Sequence, residues 1–364
     1  MNMLGYINKY GDRTFDENPA NIIDALVLTG VVYIPLISDG FSKSETCESL
    51  LSSFLSRKDI NEICVFPKKD ANFAKVVMKA RRYKNVEVTC CLTIMDEEKQ
   101  EQFAAASFLS QKTNCVYIAF RGTDLTWLGW KEDFNLSFMS ETPAQKLAVS
   151  YIEQIALLYP DAKIYVGGHS KGGNLAMYGA SFASREVQDR IVRVLNFDGP
   201  GFFQQIIDQE GYQRIRERII SIIPSYSIVG MMLERNDKFE VISSSGIGFM
   251  QHDIYTWQVV GTTFKYAKRL SKLSRRVHVA VMDTLNQMSI QERKELVDSL
   301  YSMVESTGTK TIRSASKNFI QFLRKIHSKY KTLSVDQKQL IVNLIKQLSR
   351  KMVAVKALSE TDKK

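Results

Sequence analysis

Five residues near the middle of the chain have the types and spacing that nucleophilic catalysis requires. Gly168, His169, Ser170, Lys171 and Gly172 form the pattern G-x-S-x-G. A serine at the apex of a turn between a strand and a helix exposes its hydroxyl, and small flanking residues let strand and helix approach closely. The first amides of that helix would face an anion forming beside the serine. The pattern predicts a nucleophile at Ser170, with the backbone N–H of Lys171 as an oxyanion donor; the alternative is a glycine-rich turn with an incidental serine.

A serine nucleophile needs a general base, and the chain has four histidines. His169 adjoins the serine, and its side chain is expected to point away from the cleft and to pack. His278 and His327 lie in a basic, amphipathic stretch that explains them without catalysis. His252 follows the last predicted strand, where the chain order Ser, acid, His would hold. Position and elimination favour His252, and the alternative is a capping or solvent-facing histidine.

Three aspartates compete for the role of the acid that orients the histidine. Asp198, in "NFDGPGF", follows the strand that comes after the helix next to Ser170. This places it at the carboxyl edge of the sheet, where active sites of open α/β sheets lie. Asp237 follows the next strand but lies in a charged turn that we expect to be exposed. Asp253 adjoins His252 in sequence, which is poor geometry for a contact with its ring. Asp198 is predicted as the acid, and Asp237 stays open as the alternative.

The segment "AFRGTD" (119–124) has the placement expected for the second oxyanion donor, in the loop after an early strand. Thr123 is predicted to supply its N–H and its hydroxyl. Arg121 is interpreted as a partner in a structural ion pair, with Asp133 as a candidate. Trp127 and Trp130 are expected to pack a loop, or alternatively to line an acyl pocket.

Alternating strands and helices must position these residues. Segments 86–94, 102–109 and 114–120 are rich in β-branched, aromatic or small apolar residues and are predicted as strands. Segment 143–160 has the apolar period of a helix, with a proline at its start and another past its end. Strand and helix then alternate to about residue 224, which predicts a mainly parallel sheet with flanking helices.

The composition is that of a soluble globular protein, with 45% hydrophobic and 24% charged residues among 364. No secretory signal is evident at the start, and the longest apolar stretch, 25–37, is too short to span a bilayer. The five cysteines, at positions 47, 64, 90, 91 and 115, have no metal-ligand spacing. They are interpreted as reduced thiols, and a cytoplasmic location is expected.

The positive charge is concentrated at the C-terminal end. Residues 265–364 carry 22 Lys and Arg against 8 Asp and Glu, whereas the preceding residues carry 27 against 31. This shift predicts a hydrolase domain at 1–264 and a basic helical region at 265–364. The basic residues lie among amphipathic helices, so the region could be a solvated structural subdomain or could dock peripherally on an anionic membrane surface. It has no nucleic-acid recognition motif.

Four segments together resemble a known family. "VYIAFRGTD", "VGGHSKGGNLA", "NFDGPGF" and "QHDIYTW", in this order, are similar to a family of bacterial α/β-hydrolases of unassigned substrate, related to the class-three lipases. The resemblance covers about residues 1–265 and implies an α/β-hydrolase fold with an oxyanion donor at Thr123. Those lipases carry their acid in a stretch that here reads "PSYSIVG", with Ser227 in its place. "NFDGPGF" resembles the pancreatic-type arrangement, in which the acid follows the earlier strand, and this supports Asp198.

The sequence therefore predicts a serine esterase or lipase-like acyl hydrolase. Ser170 would attack a small-molecule or lipid ester, with His252 as base and Asp198 as acid. Thr123 and Lys171 would stabilise the oxyanion, and the chemistry requires neither a metal nor an organic cofactor. The alternative is a non-catalytic hydrolase-like module that binds a partner or an acyl ligand.

Overall fold

The computed structural model describes residues 1–35, 44–64, 66–96, 98, 101–110, 112–124, 126–311, 314–315 and 318–361. The chain divides into two compact units. The first consists of Met1–Ile94, Phe103–Gly122 and Ala144–Ser271, and the second of Met95–Gln102, Thr123–Pro143 and Lys272–Lys364. The long last segment of the second unit begins close to the predicted boundary at 264 and 265. Its two earlier segments lie in the part of the chain that we assigned to the hydrolase domain. Residues 36 and 37 of the apolar stretch lie outside the described residues.

An eight-stranded sheet organises the chain, and its spatial order follows the order of the sequence. The strands from β4 to β8 are all parallel, whereas β1 pairs with β2, and β3 with β4, in antiparallel fashion. A separate antiparallel pair, β9 and β10, follows the sheet. The strands are β1 Glu45–Thr46, β2 Glu87–Asp96, β3 Glu101–Ser110, β4 Cys115–Phe120, β5 Lys163–His169, β6 Ile191–Phe197, β7 Ile219–Pro224, β8 Lys238–Ile242, β9 Val259–Val260 and β10 Thr263–Phe264.

Helices connect and flank these strands. They are α1 Met3–Tyr10, α2 Ile22–Val31, α3 Cys47–Leu55, α4 Ile60–Ile63, α5 Pro67–Lys79, α6 Arg81–Lys84, α7 Trp127–Asn135, α8 Pro143–Leu158, α9 Lys171–Phe182, α10 Arg185–Arg190, α11 Gln204–Ile207, α12 Glu210–Ile215, α13 Lys272–Asn286, α14 Ile290–Glu305, α15 Phe319–Thr332 and α16 Val335–Thr361. Short 3-10 turns occur at Arg216–Arg218, Val229–Met231, Gly248–His252 and Ile254–Thr256. The predicted α/β fold with a mainly parallel sheet and flanking helices is confirmed.

Both faces of the sheet are buried, as the apolar composition of its strands requires. Along β4, Val116, Ile118 and Phe120 belong to the core that α8 and α9 cover. Tyr117 and Ala119 point to the opposite core, which α1, α2, α3 and α5 cover. Because successive side chains of a strand face opposite sides, one apolar run can serve two cores.

The chain between β6 and β7 forms two short helices. The segment 204–217 forms α11, α12 and a 3-10 turn. The interruption at residues 208 and 209 redirects the chain so that α12 packs closely on α9. A Cβ added at Gly211 would lie 2.0 Å from the carbonyl oxygen of Ser181, so this contact requires glycine.

The second unit has its own small core, formed by Leu296, Met303, Leu333 and Ile341. Two of its helices begin with capping boxes: the hydroxyl of Ser289 accepts from the N–H of Glu292, and Ser334 exchanges the equivalent bonds with Gln337. None of the helices in the described part of the chain combines the length and low charge needed to cross a bilayer.

A buried ion pair anchors the N-terminal helices of the first unit. Nε of Arg82 donates to Oδ1 of Asp24 at 2.7 Å, and Nη2 donates to Oδ2 at 2.6 Å, with both side chains almost wholly buried. The hydroxyls of Tyr6 and Tyr83 also donate to Asp24, while Nη1 of Arg82 donates to backbone carbonyls of the segment between α1 and α2. A buried pair with this many hydrogen bonds fixes geometry, and removing one partner leaves an uncompensated charge.

We expect Asp24→Ala to lower the free energy of unfolding by about 3–5 kcal/mol, because Arg82 would then be buried without its counter-charge. Urea unfolding followed by circular dichroism measures this. The control is Asp16→Ala, which removes the exposed partner of Lys112 and should change stability by less than about 0.5 kcal/mol. Equal losses of unfolding free energy in the two variants would show that the buried pair of Asp24 and Arg82 stabilises the fold no more than an exposed pair does.

Candidate active site

Ser170 occupies a strained turn between β5 and α9. Its backbone has φ +58° and ψ −132°, a conformation that residues with a side chain rarely adopt. Its N–H donates to the carbonyl of Phe197 on β6 at 2.9 Å. Strain of this kind persists only where the surrounding structure imposes it, and it places the side chain at the apex of the turn.

The two glycines of the pattern are required by close backbone contacts. A Cβ added at Gly168 would lie 2.1 Å from the carbonyl oxygen of Gly172. A Cβ added at Gly172 would lie 2.1 Å from the carbonyl oxygen of Phe120, on β4. The strand–turn–helix context and the close approach predicted for this segment are both present.

Asp198 and His252, predicted as acid and base, lie in contact. Asp198 directly follows β6, has φ +54° and donates its N–H to the carbonyl of Ile222 on β7 at 2.9 Å. Its side chain is fully buried, and Oδ2 lies 2.7 Å from Nδ1 of His252. His252 ends the 3-10 turn that follows β8, and its side chain is 19% exposed. A buried carboxylate on Nδ1 leaves Nε2 directed elsewhere, as a general base requires.

Sequence reasoning missed two residues that support Asp198. The hydroxyl of Ser227 donates to Oδ1 of Asp198 at 2.5 Å. A Cβ at Gly230 would lie 2.2 Å from the same Oδ1, so the position next to the carboxylate must be glycine. The sequence signal was the departure at Ser227, which we used only to place the acid elsewhere, at Asp198. In the structure the Ser227 hydroxyl is hydrogen bonded to that carboxylate.

The competing aspartates have other partners. Asp237 accepts from the hydroxyl of Ser221 and pairs with Arg235 at 3.2 Å. The turn does include exposed residues, Asn236 and Lys238, but the Asp237 side chain itself is only 1% exposed and pairs with the buried side chain of Arg235. Asp253 pairs with Lys69 at 2.5 Å and accepts from the N–H of Tyr255. In the described part of the chain, Asp198 is the carboxylate bonded to the His252 ring.

His169 is buried and packs, as expected, but it packs against the residue predicted as the base. Its ring lies against that of His252, with centroids 4.6 Å apart. Nε2 is 2.9 Å from the carbonyl oxygen of His252, and Nδ1 is 2.8 Å from the hydroxyl of Tyr33. Burial, and secondarily the neighbouring His252, lower the pKa of His169 well below its ordinary value, so the ring is neutral. Sequence reasoning did not identify Tyr33 at all.

The predicted oxyanion donors belong to different units. Lys171 opens α9, and the amides of a first helical turn are not used by the helix itself. Thr123 is the first residue of its segment in the second unit, and its hydroxyl donates to Asp133 at 2.5 Å. The hydroxyl that we assigned to the oxyanion is therefore engaged. Within the first unit, a Cβ at Gly122 would lie 2.9 Å from Cβ of Ser170, so the backbone of the "RGTD" segment passes beside the nucleophile.

Most of the remaining residues singled out from the sequence lie in the second unit, whereas Arg121 lies in the first. Trp127 stacks on Phe322 with centroids 5.9 Å apart, and Trp130 contacts Phe134, so both pack as expected, although they lie on helix α7 and not in a loop. His278 lies on α13 and His327 on α15. The ion pair proposed for Arg121 with Asp133 stays a prediction.

The serine and histidine are not yet joined. In the described part of the chain, neither Oγ of Ser170 nor Nε2 of His252 takes part in a hydrogen bond. Catalytic hydrogen bonds are often long before substrate binds and shorten in the complex. The bond between Asp198 and His252 is thus formed in this structure, whereas a bond between His252 and Ser170 is not.

Comparison with known proteins gives one sequence match and several structural ones. The model of the Mbeg1-like family matches residues 77–302. No curated protein sequence matches the chain. The structure of Lip2 lipase from Yarrowia lipolytica aligns with a TM-score of 0.31 and 13% identity, over 47% of this chain and 69% of its own. A mutant form of MDLA from Penicillium cyclopium aligns with a TM-score of 0.38 and 10% identity, over 72% and 86%.

A mainly parallel sheet with helices on both faces, and a strained serine between a strand and the next helix, define an α/β-hydrolase fold. Both TM-scores are below 0.5, so this assignment is based on the sheet order and the turn. The chain belongs to the Mbeg1-like family, whose model covers more than half of its 364 residues.

A buried carboxylate lies beside the segment that follows His252. Asp70, on α5, is 2% exposed; it accepts from the N–H of Phe66 at 2.9 Å and from the hydroxyl of Tyr255 at 3.3 Å. Burial raises its pKa to about 6, and the charge of Asp253 adds to this, whereas Lys69 and the two hydrogen bonds oppose it. The folded chain therefore keeps a proton that the unfolded chain releases near its ordinary value of 3.8.

We expect the contribution of Asp70 to the stability of the folded protein to fall as the pH rises from about 4 to about 6. Over this range the Asp70 carboxyl is more protonated in the folded state than in the unfolded state, so its contribution to the free energy of unfolding falls by up to about 3 kcal/mol. The lowered pKa of His169 acts in the opposite direction, equally in wild type and variant. Asp70→Asn should remove that decline, whereas Asp16→Asn, at an exposed carboxylate, should retain it. Urea midpoints at pH 4, 5, 6 and 7 test this, and an Asp70→Asn curve parallel to the wild-type curve would contradict it.

Proposed function

We propose that this chain is a serine hydrolase that cleaves carboxylic esters, in the manner of an esterase or lipase. The observation that carries the proposal is the bond between Asp198 and His252, in the same unit as the strained turn at Ser170. A buried carboxylate on the ring nitrogen remote from the nucleophile is the arrangement that prepares a histidine for proton transfer.

The proposed reaction has two halves. Oγ of Ser170 attacks the ester carbonyl carbon while Nε2 of His252 takes the hydroxyl proton, and Asp198 stabilises the resulting imidazolium. The N–H of Lys171 holds the tetrahedral oxyanion. The intermediate collapses, and the alcohol leaves with the proton from His252. Water then attacks the acyl-enzyme with His252 as base, which releases the acid and restores the Ser170 hydroxyl.

The residues before His252 support a substrate with an apolar acyl group. Ile247, Phe249 and Met250 are exposed by 88%, 50% and 52%, and the ring of Phe249 lies 5.8 Å from that of His252. An acyl chain bound along this turn would cover side chains that otherwise face water, at about 25 cal/mol per Å² of apolar surface removed from solvent. Uncharged small-molecule or lipid esters fit this surface better than charged substrates do.

The alternative is a non-catalytic module that keeps the hydrolase shell to bind a partner or an acyl ligand. The observation in its favour is that Ser170 and His252 are not hydrogen bonded in the described structure. A fluorophosphonate probe distinguishes the two proposals, because only an activated serine is labelled rapidly. Folded wild-type protein that resists labelling, while Ser170→Ala behaves identically, would favour the binding module.

We expect wild-type protein to hydrolyse p-nitrophenyl esters over a series of acyl lengths, and Ser170→Ala to lose this activity. Asp198→Asn should lower kcat by about 10³- to 10⁴-fold, because it removes the charge that stabilises the imidazolium. Asp237→Asn is the matched control: it breaks the buried pair with Arg235, so it should reduce thermal stability and leave kcat of the folded fraction within about threefold of wild type. An equal loss of kcat in Asp198→Asn and Asp237→Asn would contradict the proposal that Asp198 is the acid.

A second proposal concerns the basic helices. We propose that the second unit docks on an anionic lipid surface through the outward face of α15. Phe319, Ile320 and Leu323 are exposed by 57%, 68% and 47%, and Arg324 and Lys331 follow on the same face. The helix contains no Asp or Glu. Exposed apolar side chains next to uncompensated cations fit a negatively charged bilayer surface, where apolar groups enter the interface and cations remain near the headgroups.

The full-length protein should co-sediment with phosphatidylcholine vesicles containing phosphatidylglycerol but not with pure phosphatidylcholine, and salt should weaken the binding. Arg324→Gln with Lys331→Gln should weaken it about 30-fold, since each charge contributes about 1 kcal/mol. The control is Lys112→Gln with Arg185→Gln, which removes two exposed charges of the first unit and should have little effect. Equal losses of vesicle binding in the two double variants would indicate non-specific electrostatic attraction. An absence of vesicle binding by the full-length protein at low salt would contradict the docking proposal.

A further inference from the structure

Three backbone segments around Ser170 are joined through two side chains that the proposed chemistry does not use. The N–H of Gly122 lies 3.1 Å from the hydroxyl oxygen of Tyr33. That hydroxyl lies 2.8 Å from Nδ1 of His169, and Nε2 of His169 lies 2.9 Å from the carbonyl oxygen of His252. The chain of bonds connects Gly122, the turn at Ser170 and the turn at His252 within the first unit.

The direction of each bond follows from the groups involved. Gly122 can only donate, so it uses a lone pair of the Tyr33 oxygen. The carbonyl of His252 can only accept, so Nε2 of His169 must carry the proton. A neutral imidazole then has a lone pair on Nδ1, to which the Tyr33 hydroxyl donates. Burial keeps His169 neutral, so this arrangement does not depend on pH near neutrality. One tautomer of His169 therefore satisfies every group in the chain.

We propose that Tyr33 and His169 are positioning residues for the reaction: they hold the backbone of His252 and of Gly122 in register with Ser170. The inference rests on the proposed serine hydrolase function. The rings of His169 and His252 lie 4.6 Å apart, so a movement of His169 displaces the general base itself. Gly122 approaches so closely that an added Cβ would lie 2.3 Å from the Tyr33 oxygen and 2.5 Å from the carbonyl oxygen of His169.

Tyr33→Phe should therefore slow the chemical step more than it weakens substrate binding. It leaves the Gly122 N–H without its acceptor and Nδ1 of His169 without its donor, so both segments can shift. Because a displacement of about 1 Å at reacting groups can cost about 100-fold, we expect kcat and the rate of fluorophosphonate labelling to fall about 10- to 100-fold, with KM within about threefold. Unchanged kcat and labelling would overturn the proposal.

Tyr117→Phe is the matched control. The hydroxyl of Tyr117 is also buried and bonds the hydroxyl of Thr29 at 2.6 Å, so this variant loses one buried hydroxyl of the same kind. It should lower the unfolding midpoint and leave kcat within about threefold of wild type, because Tyr117 does not join the site segments. If Tyr117→Phe and Tyr33→Phe lose kcat equally, the effect is general destabilisation and the proposal fails.

Substitution of His169 supplies the second test. The amide nitrogen of a glutamine can donate to the His252 carbonyl as Nε2 does, whereas phenylalanine fills similar space without a donor. His169→Gln should therefore retain most of the labelling rate that His169→Phe loses. Equal rates in the two variants would contradict a hydrogen-bonding role. Wild-type protein that is not labelled at all would instead overturn the serine hydrolase proposal, so the two failures are distinguishable.

Discussion

The close backbone packing around Ser170 is the constraint on which the rest of the site depends. Gly168 faces the carbonyl of Gly172, and Gly172 faces the carbonyl of Phe120, each at a distance that excludes a Cβ. Strands β4 and β5 and helix α9 therefore meet at one point, and Ser170 has φ +58° because the chain must reverse there. A strained residue needs surroundings that hold it, and the parallel sheet with two buried faces supplies them.

Asp198, which we propose as the acid, has a hydrogen-bonded environment supplied by three neighbouring segments. Asp198 also has a positive φ, which aspartate tolerates better than most residues, and its N–H is bonded to β7. Ser227 donates to one carboxylate oxygen and His252 occupies the other. Ser227 cannot itself serve as the acid, but its hydroxyl can hydrogen bond the carboxylate that contacts His252. Ser227 and Asp198 therefore form one hydrogen-bonded group.

Much of the fold could be predicted from sequence, because strands buried on both faces, amphipathic helices and their caps leave local patterns. The turn at Ser170 was predictable for the same reason, since its glycines are adjacent in the chain. The contacts of His169, Tyr33, Ser227 and Gly230 were not, because each depends on which segments the sheet brings together. Asp237 illustrates this: a charged stretch predicts exposure, yet burial with Arg235 is decided by tertiary packing.

Stability and the geometry of the proposed site are connected through the N-terminal helices. The buried pair of Asp24 and Arg82 fixes α2, and Tyr33 follows two residues after that helix ends. A hydroxyl that must lie within hydrogen-bond distance of both Gly122 and His169 needs a rigid support, which a charge cluster with every bond satisfied provides. The cluster of Asp24 and Arg82 is connected to Ser170 only through intervening residues, so its side chains take no direct part in the proposed reaction. Its contribution is to restrict the position of Tyr33. Through Tyr33 it restricts the position of His252, the proposed general base, relative to Ser170.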